Sequence, residues 1–400
     1  MTLVDRRIVL GVTGGIAAYK VVQLARNLSL AGALVDVVMT EEATKFVTPL
    51  TFGALTHRPV YTDMWQLSEQ TDIGHVTIGD RADLIIIAPA TANTIARLAM
   101  GMSDDMLTTT VLASRAPILL APAMNVNMWA NPATQANVAT LQSRGFQIIP
   151  PTAGRMAEPM VGVGRLAEID QIEAEIRLAL GRRFGVLAGK RLIITAGGTH
   201  EAIDPVRFIG NRSSGAMGFA LAAAARDAGA DVRLIIGAAS ATPPLGTQHI
   251  YAESAAAMHD TLHHEINQGC DLLIMAAAVA DYRPVSVADN KIKKTEQAEQ
   301  SLSLQLTQTT DILASLKEHT GFVKIGFAAE THDLEQYAQA KLTRKGLDAI
   351  VANDARTALG ASDNAVTVFH RNGQRWDFGR QAKTELAQQL VELFSGFLRT

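Results

Sequence analysis

One plan is written twice along this chain. The apolar run Arg7-Ile8-Val9-Leu10 leads into Thr13-Gly14-Gly15, and Arg191-Leu192-Ile193-Ile194 leads into Ala196-Gly197-Gly198. Each glycine turn opens a small-residue stretch of helical length, closed by Ala31-Gly32-Ala33 in one half and Ala228-Gly229-Ala230 in the other. A second apolar run follows directly, at 35–39 and at 232–236. Further on, Ala82-Asp83-Leu84-Ile85-Ile86-Ile87-Ala88 is echoed by Cys270-Asp271-Leu272-Leu273-Ile274-Met275-Ala276. Strand-length runs alternating with helical stretches predict two doubly wound, Rossmann-like parallel α/β units. The boundary falls across residues 181–189, after an amphipathic stretch at 169–180, giving domains 1–189 and 190–400. Gly14 and Gly197 differ by 183 positions but Gly32 and Gly229 by 197, so the second half carries 14 extra residues. The segment from Ile203 to Gly215 accounts for most of them. The scaffold is shared and the site is not.

Bulk properties narrow the function. With 48% hydrophobic and 19% charged residues, the 400-residue chain reads as globular. A formal net charge of −3 gives nonspecific nucleic-acid or membrane attraction no electrostatic basis. The single cysteine, Cys270, excludes an internal disulfide and a multi-thiolate zinc site, and fits a reducing compartment. The apolar runs are too short to span a bilayer, and the N-terminus lacks the pattern of a secretory leader. The expectation is a cytoplasmic protein.

In the first half, Gly11-Val12-Thr13-Gly14-Gly15-Ile16 lacks the GxGxxG spacing and the P-loop ending, yet exposes backbone N–H groups where a helix begins. Pro89-Ala90-Thr91-Ala92-Asn93-Thr94 closes a second apolar run with small hydrogen-bonding residues, among which Thr91 or Asn93 can equally cap a helix. Pro122-Ala123-Met124-Asn125-Val126-Asn127-Met128-Trp129 places amides, thioethers and an indole beyond a third run. That set suits a flat, partly apolar ligand, or a buried turn with methionine as filler. His75 stands between them in the chain.

This ordered set closely resembles the homo-oligomeric flavin-containing cysteine decarboxylases. The whole chain is similar to the bacterial bifunctional phosphopantothenoylcysteine decarboxylase and phosphopantothenate–cysteine ligases of coenzyme A synthesis, over residues 5–395. For the first half the resemblance implies an FMN-dependent, redox-neutral decarboxylation. It places His75 beside the reacting group, Asn125 on the substrate carboxylate, and Gly14, Gly15, Ile16, Thr40, Pro89, Asn93 and Met124 at the flavin. In such relatives this domain is a trimer. One departure concerns the proton donor, a cysteine in the family, where this chain has Glu158. A carboxyl near its ordinary pKa of about 4.3 holds few protons at neutral pH, although burial in a closed loop would raise it. Glu158 either replaces the thiol or is a solvated loop residue.

In the second half, Asp204-Pro205-Val206-Arg207 and Asn211-Arg212-Ser213-Ser214-Gly215 bring two guanidinium groups and several hydrogen-bonding side chains ahead of a helix, where the serines or Gly215 can also serve as its cap. Lys291-Ile292-Lys293-Lys294 is a solvated charge run or a phosphate clamp. Lys341 and Lys345 lie four apart on one helix, an unfavourable like-charge spacing unless an anion lies between them. The resemblance implies ligation of 4′-phosphopantothenate to cysteine through an acyl-cytidylate formed from CTP, with Mg2+ bridging phosphates. It assigns Lys291 to the pyrophosphate leaving group, Asn211 to the second step and Arg207 to a substrate anion. Ala276, Ala277, Asp281, Asp311, Ile312, Phe327, Lys341 and Lys345 then contact the nucleotide. Thr309-Thr310 stand where the family reads Asn-Pro. The ligase domain of relatives dimerises, and trimer and dimer contacts together would build a dodecamer. His259 and His263 share helical spacing without an acidic or thiol partner and read as surface residues.

Three other readings stand beside this one. A nicotinamide dehydrogenase lacks its glycine fingerprint and ribose acid here. A ligase with an impaired flavoprotein half would follow from Glu158. A noncatalytic flavoprotein regulator would not need His75, Asn125, Asn211 and Lys291 together.

Overall fold

The computed structural model describes residues 3–65, 74–155, 161–293, 302–330, 333–354 and 361–398. The chain divides into two compact units, Met1–Arg183 and Phe184–Thr400.

The first unit holds β1 (Arg7–Val12), β2 (Leu34–Met39), β3 (Val60–Tyr61), β4 (Leu84–Ala90), β5 (Ile118–Pro122) and β6 (Gln147–Ile148) in one sheet ordered β3-β2-β1-β4-β5-β6. Every pairing in it is parallel. A parallel sheet needs both faces covered, and β4 is buried from end to end. With a side-chain period of two, Leu84, Ile86 and Ala88 pack with Val21, Leu24 and Leu28 of helix Ala18–Leu30. Ile85 and Ile87 turn the other way, against Ile95, Leu107 and Val111. Each large side chain so buried contributes about 1.5–3 kcal/mol. An antiparallel pair, β7 (Thr152–Arg155) and β8 (Val161–Arg165), stands apart from the sheet.

The second unit repeats the order and extends it. Its strands are β9 (Arg191–Ala196), β10 (His200–Ala202), β11 (Phe208–Gly210), β12 (Asp231–Ile236), β13 (Gln248–Tyr251), β14 (Leu272–Met275), β15 (Tyr282–Pro284), β16 (Leu306–Gln308), β17 (Val323–Glu330), β18 (Ala349–Asp354), β19 (Asp363–His370) and β20 (Arg375–Ala382). The main sheet runs β13-β12-β9-β14-β17-β18-β19-β20, parallel through β18 and antiparallel beyond it. The expected parallel sheet is thus extended by two antiparallel strands. A turn at Asn372-Gly373, with Gly373 at φ 90°, folds β20 straight back on β19 without a crossover helix. The inserted segment contributes the turn and second strand of the β10–β11 hairpin, where the His200 ring stacks on Phe208 at 3.5 Å between centroids.

In each sheet the strand order reverses once, between β1 and β4 and between β9 and β14. Ligands of open α/β sheets bind in the crevice this reversal leaves at the carboxyl ends of the strands. Among the described residues no helix is long and apolar enough to cross a membrane.

Candidate active sites

The turns of the first unit meet across its reversal point. Thr13 is fully buried, and its Oγ1 donates to the Pro89 carbonyl at 2.6 Å while accepting from Thr91 N–H at 3.1 Å. One hydroxyl thus locks the glycine turn after β1 to the Ala88–Pro89 cis peptide and the turn after β4. A Cβ at Gly14 would run into the Cβ and backbone of Glu42, so the close approach requires glycine. Helix Ala18–Leu30 begins there with no side-chain cap; the Ala18 N–H donates to Gly15 O at 2.9 Å and the Lys20 N–H to Ala17 O at 3.0 Å. Thr91 does cap helix Ala92–Met100, and Asn93 lies exposed in its first turn. Thr40 caps helix Glu41–Thr44 by accepting from Ala43 N–H at 3.3 Å, and its hydroxyl proton remains a donor beside the turn. Ile16 is 60% exposed.

His75 is the second residue of helix Gly74–Arg81, whose far end runs into β4. Its first turn therefore lies at the carboxyl edge of the sheet, with the crevice. Nδ1 of His75 is buried and has no hydrogen-bond partner among the described residues. An orphaned polar atom of this kind is costly unless a ligand satisfies it. Together with the uncapped helix and the glycine cradle, it fits a phosphorylated aromatic cofactor.

Asn125 caps the short helix Val126–Ala130, accepting from Asn127 N–H at 2.8 Å. Met124 is buried, and its N–H donates to Gly164 O at 2.9 Å, tying this stretch to β8. The capping and packing roles are therefore real. They also set Asn125 beyond the end of β5, next to the hairpin. Glu158, between β7 and β8, lies outside the described residues.

The second unit contains a cavity of about 790 Å3 at its reversal point. Every nucleotide residue expected from the resemblance lines it except Lys291: Ala276 and Ala277 after β14, Asp281, Asp311 with Ile312, Phe327 on β17, and Lys341 with Lys345 on helix Leu334–Lys345. Asn211 lines it too, its Nδ2 donating to Val279 O at 3.0 Å. Thr199, buried and not foreseen, accepts from Ala280 N–H at 2.9 Å and so joins the turn after β9 to the turn after β14. Gly197 sits at φ 85°, with the Ala238 carbonyl where a Cβ would go. Helix Ala216–Asp227 starts at Gly215, and the two serines offered as its cap accept from the chain there, Ser213 Oγ from Gly215 N–H and Ser214 Oγ from Ala216 N–H, each at 3.4 Å.

The like-charge spacing of Lys341 and Lys345 is resolved internally. Lys345 is ion-paired with Asp311, and Lys341 donates to the Phe327 carbonyl at 2.9 Å. Burial pulls the Lys345 pKa below its ordinary value, opposed by the charge of Asp281.

Arg207 and Lys291 do not line the cavity. Arg207 Nη1 donates to Asp204 Oδ2 at 2.7 Å and to Ile292 O at 3.0 Å. Asp204, 2% exposed, also accepts from the N–H groups of Val206, Arg207 and Ile292. The expected substrate-anion contact is accordingly part of a brace that grips the peptide between Lys291 and Lys293. Both lysines are exposed.

The rings of His259 and His263 lie 4.4 Å apart and tilted by 47°; His263 is also near His319 and bonded to Ser315, while His259, contrary to expectation, has an acidic partner in Asp260 at 2.9 Å. No group of three or more His, Cys, Asp or Glu among the described residues can hold a metal. Cys270 packs beside the second core, and burial pushes its thiol up to about 12, so it is protonated and unreactive at neutral pH.

The Thr13 lock makes a direct prediction. Thr13→Val should weaken FMN binding about tenfold by removing both bonds, while Thr13→Ser restores it; titrating apoprotein with FMN and following fluorescence quenching measures this. Unaltered affinity would show that the two turns hold their spacing without it.

Comparison with known proteins agrees with both units. The sequence model of the Flavoprotein family matches residues 2–180, and that of the DNA/pantothenate metabolism flavoprotein C-terminal domain matches 187–397. The chain is 45% identical over 398 residues to the coenzyme A biosynthesis bifunctional protein CoaBC of Vibrio cholerae, covering 98% of each. Identity to the protein of the same name from Bacillus subtilis is 45% over 395 residues, covering 97% of this chain and 96% of that one. The Mycobacterium tuberculosis counterpart is 41% identical over 412 residues, covering 99% and 97%.

Proposed function

This chain belongs to the family of coenzyme A biosynthesis bifunctional proteins, and from that premise we propose a two-step path. The second unit joins 4′-phosphopantothenate to cysteine with CTP, and the first decarboxylates the product to 4′-phosphopantetheine with FMN. The observation that carries the ligase reading is the cavity, where Asn211, Asp281, Phe327, Lys341 and Lys345 converge from separate strands and loops. The substrate carboxylate attacks the α-phosphate of CTP, releasing pyrophosphate, and the amine of cysteine then displaces CMP. Asn211, anchored on the Val279 carbonyl, positions the acyl-cytidylate. Lys291 stabilises the departing pyrophosphate from its loop. Mg2+ would enter with the nucleotide's phosphates, since it keeps water and phosphate ligands rather than an all-protein cage.

In the first unit Gly14, Gly15, Ile16, Pro89 and Asn93 would hold FMN, which when bound supplies the electron sink that lets CO2 leave. Asn125 orients the substrate carboxylate and His75 faces the reacting carbon. Glu158 is the candidate proton donor. The unit is expected to trimerise and its partner to dimerise. Exposed Val206, Phe208, Tyr282 and Val285 around the small hairpins suit an interface of that kind.

The experiment supplies purified protein with phosphopantothenate, cysteine, CTP and Mg2+ and follows pyrophosphate, the amide product and CO2 separately. All three should form in that order. Asn211→Asp should release pyrophosphate yet accumulate the acyl-cytidylate. Pyrophosphate and amide without CO2 would instead mark a ligase with a disabled flavoprotein half.

A further inference from the structure

An amide ends an apolar row at the ligase cavity. In the antiparallel pair β18–β19, Val351 lies opposite Val368, and alternation puts Val368, Val366 and Asn364 on that same face. The valines are buried among Leu386 and Leu390 of helix Lys383–Phe397 and Phe219 and Ala222 of helix Ala216–Asp227. Asn364 continues the row at the start of β19, is 7% exposed, and lines the cavity. Ala382, the last residue of β20, pairs with Asp363, so Lys383 reaches the cavity wall at the same edge.

A third valine would extend the core at this position, so the amide needs a reason. A buried amide is unfavourable unless both its oxygen and its NH2 are bonded. The oxygen is satisfied, for Oδ1 accepts from Ala365 N–H at 3.0 Å. That bond also fixes the orientation, because the reversed amide would set its NH2 against an N–H donor. The NH2 has no partner among the described residues. Asn211, on the same cavity, differs: its Nδ2 donates to Val279 O at 3.0 Å. The bond to Ala365 thus accounts for an oxygen at position 364 and not for the NH2. Two N–H donors held beside a cavity recognise an acceptor oxygen, and a ligand that supplies one removes the cost of burying them.

We propose that the NH2 of Asn364 donates to an acceptor oxygen of a ligand bound in the ligase cavity, which makes Asn364 a further binding residue of that site. The oxygen belongs either to the nucleotide or to the acyl substrate, and the test separates the two. This deepens the ligase reading and rests on it.

The test uses full-length, FMN-loaded protein carrying Asn364→Asp. This variant has the same shape and keeps an oxygen for Ala365 N–H, but exchanges both donors for an acceptor. KM for CTP and for 4′-phosphopantothenate are measured in ligation, with CO2 release from supplied phosphopantothenoylcysteine and thermal midpoint as controls. One KM should rise about ten- to hundredfold, the cost of an acceptor left facing the wrong group, with kcat and the other KM changed much less. A rise for CTP assigns the oxygen to the nucleotide; a rise for the other substrate assigns it to the acyl chain. Asn364→Ala, which drops the Ala365 bond as well, should raise the same KM. Unchanged KM values in Asn364→Asp, an equal change in both, or a change in kcat alone would overturn the proposal and leave Asn364 only its bond to Ala365. Should the aspartate variant unfold, Asn364→Ala is read by the same outcomes. A wild-type protein that releases no pyrophosphate from CTP would sink the ligase reading itself.

Discussion

Asp204→Asn should cut ligation by about 100-fold or more while leaving CO2 release from supplied phosphopantothenoylcysteine unchanged. An ionised carboxylate only accepts hydrogen bonds, and all the groups around Asp204 donate: the N–H groups of Val206 and Arg207 at 2.8 Å, Arg207 Nη1 at 2.7 Å and Ile292 N–H at 3.1 Å. An amide turns its NH2 toward donors in either orientation, so one side of the brace must open. Ile292 is then released, and with it the position of Lys291. Normal ligation by this variant would show that Lys291 works without the brace. The pH response follows from the same contacts. Burial alone would raise the Asp204 pKa, but the backbone donors and Arg207 outweigh it and hold it below the ordinary value. A carboxyl more acidic folded than unfolded contributes fully above its unfolded pKa of about 3.9, and that contribution is lost as pH falls through the folded value. The brace should therefore be insensitive between pH 5 and 8 and fail only in acid. Ligation that falls away steeply between pH 6 and 5 would have another cause.

His75→Asn is expected to lower decarboxylation by about 10²- to 10⁴-fold, the range of a positioned proton-transfer group, with ligation intact as an internal control. The yellow absorbance should persist, because the glycine turn and the Thr13 lock do not depend on the imidazole. The buried Nδ1, which none of the described residues satisfies, gives the physical ground. Single-turnover assays under anaerobic conditions separate the outcomes. Loss of CO2 release with FMN bound supports the assignment, whereas colourless protein would make His75 part of cofactor retention. Wild-type rates would remove it from the chemistry.

Much of the fold was legible because its signals are local. Apolar runs punctuated by glycine turns mark strands and helix starts within a dozen residues, and the repeat of that pattern disclosed two units. Even the antiparallel ending has a signal, Asn372-Gly373 between alternating Val366, Val368 and Trp376, Phe378. The nucleotide residues came from resemblance, and the cavity brings all but Lys291 onto its walls. Arg207 was harder, for a guanidinium in a loop looks the same in sequence whether it faces a substrate or Asp204.

The amino-acid order alone determined which segments are strands, where glycine turns open the helices, and that the chain carries one thiol and little net charge. Those properties depend on neighbours a few residues away. Tertiary structure decided which turns face each other: Thr13 against Pro89 and Thr91, Thr199 against Ala280, Asp204 against Ile292, and Lys383 on a cavity wall. These partners lie far apart along the chain. A hydroxyl or a carboxylate can bond to any of several donors, so only the sheet order, set by the summed burial of two apolar faces, selects one.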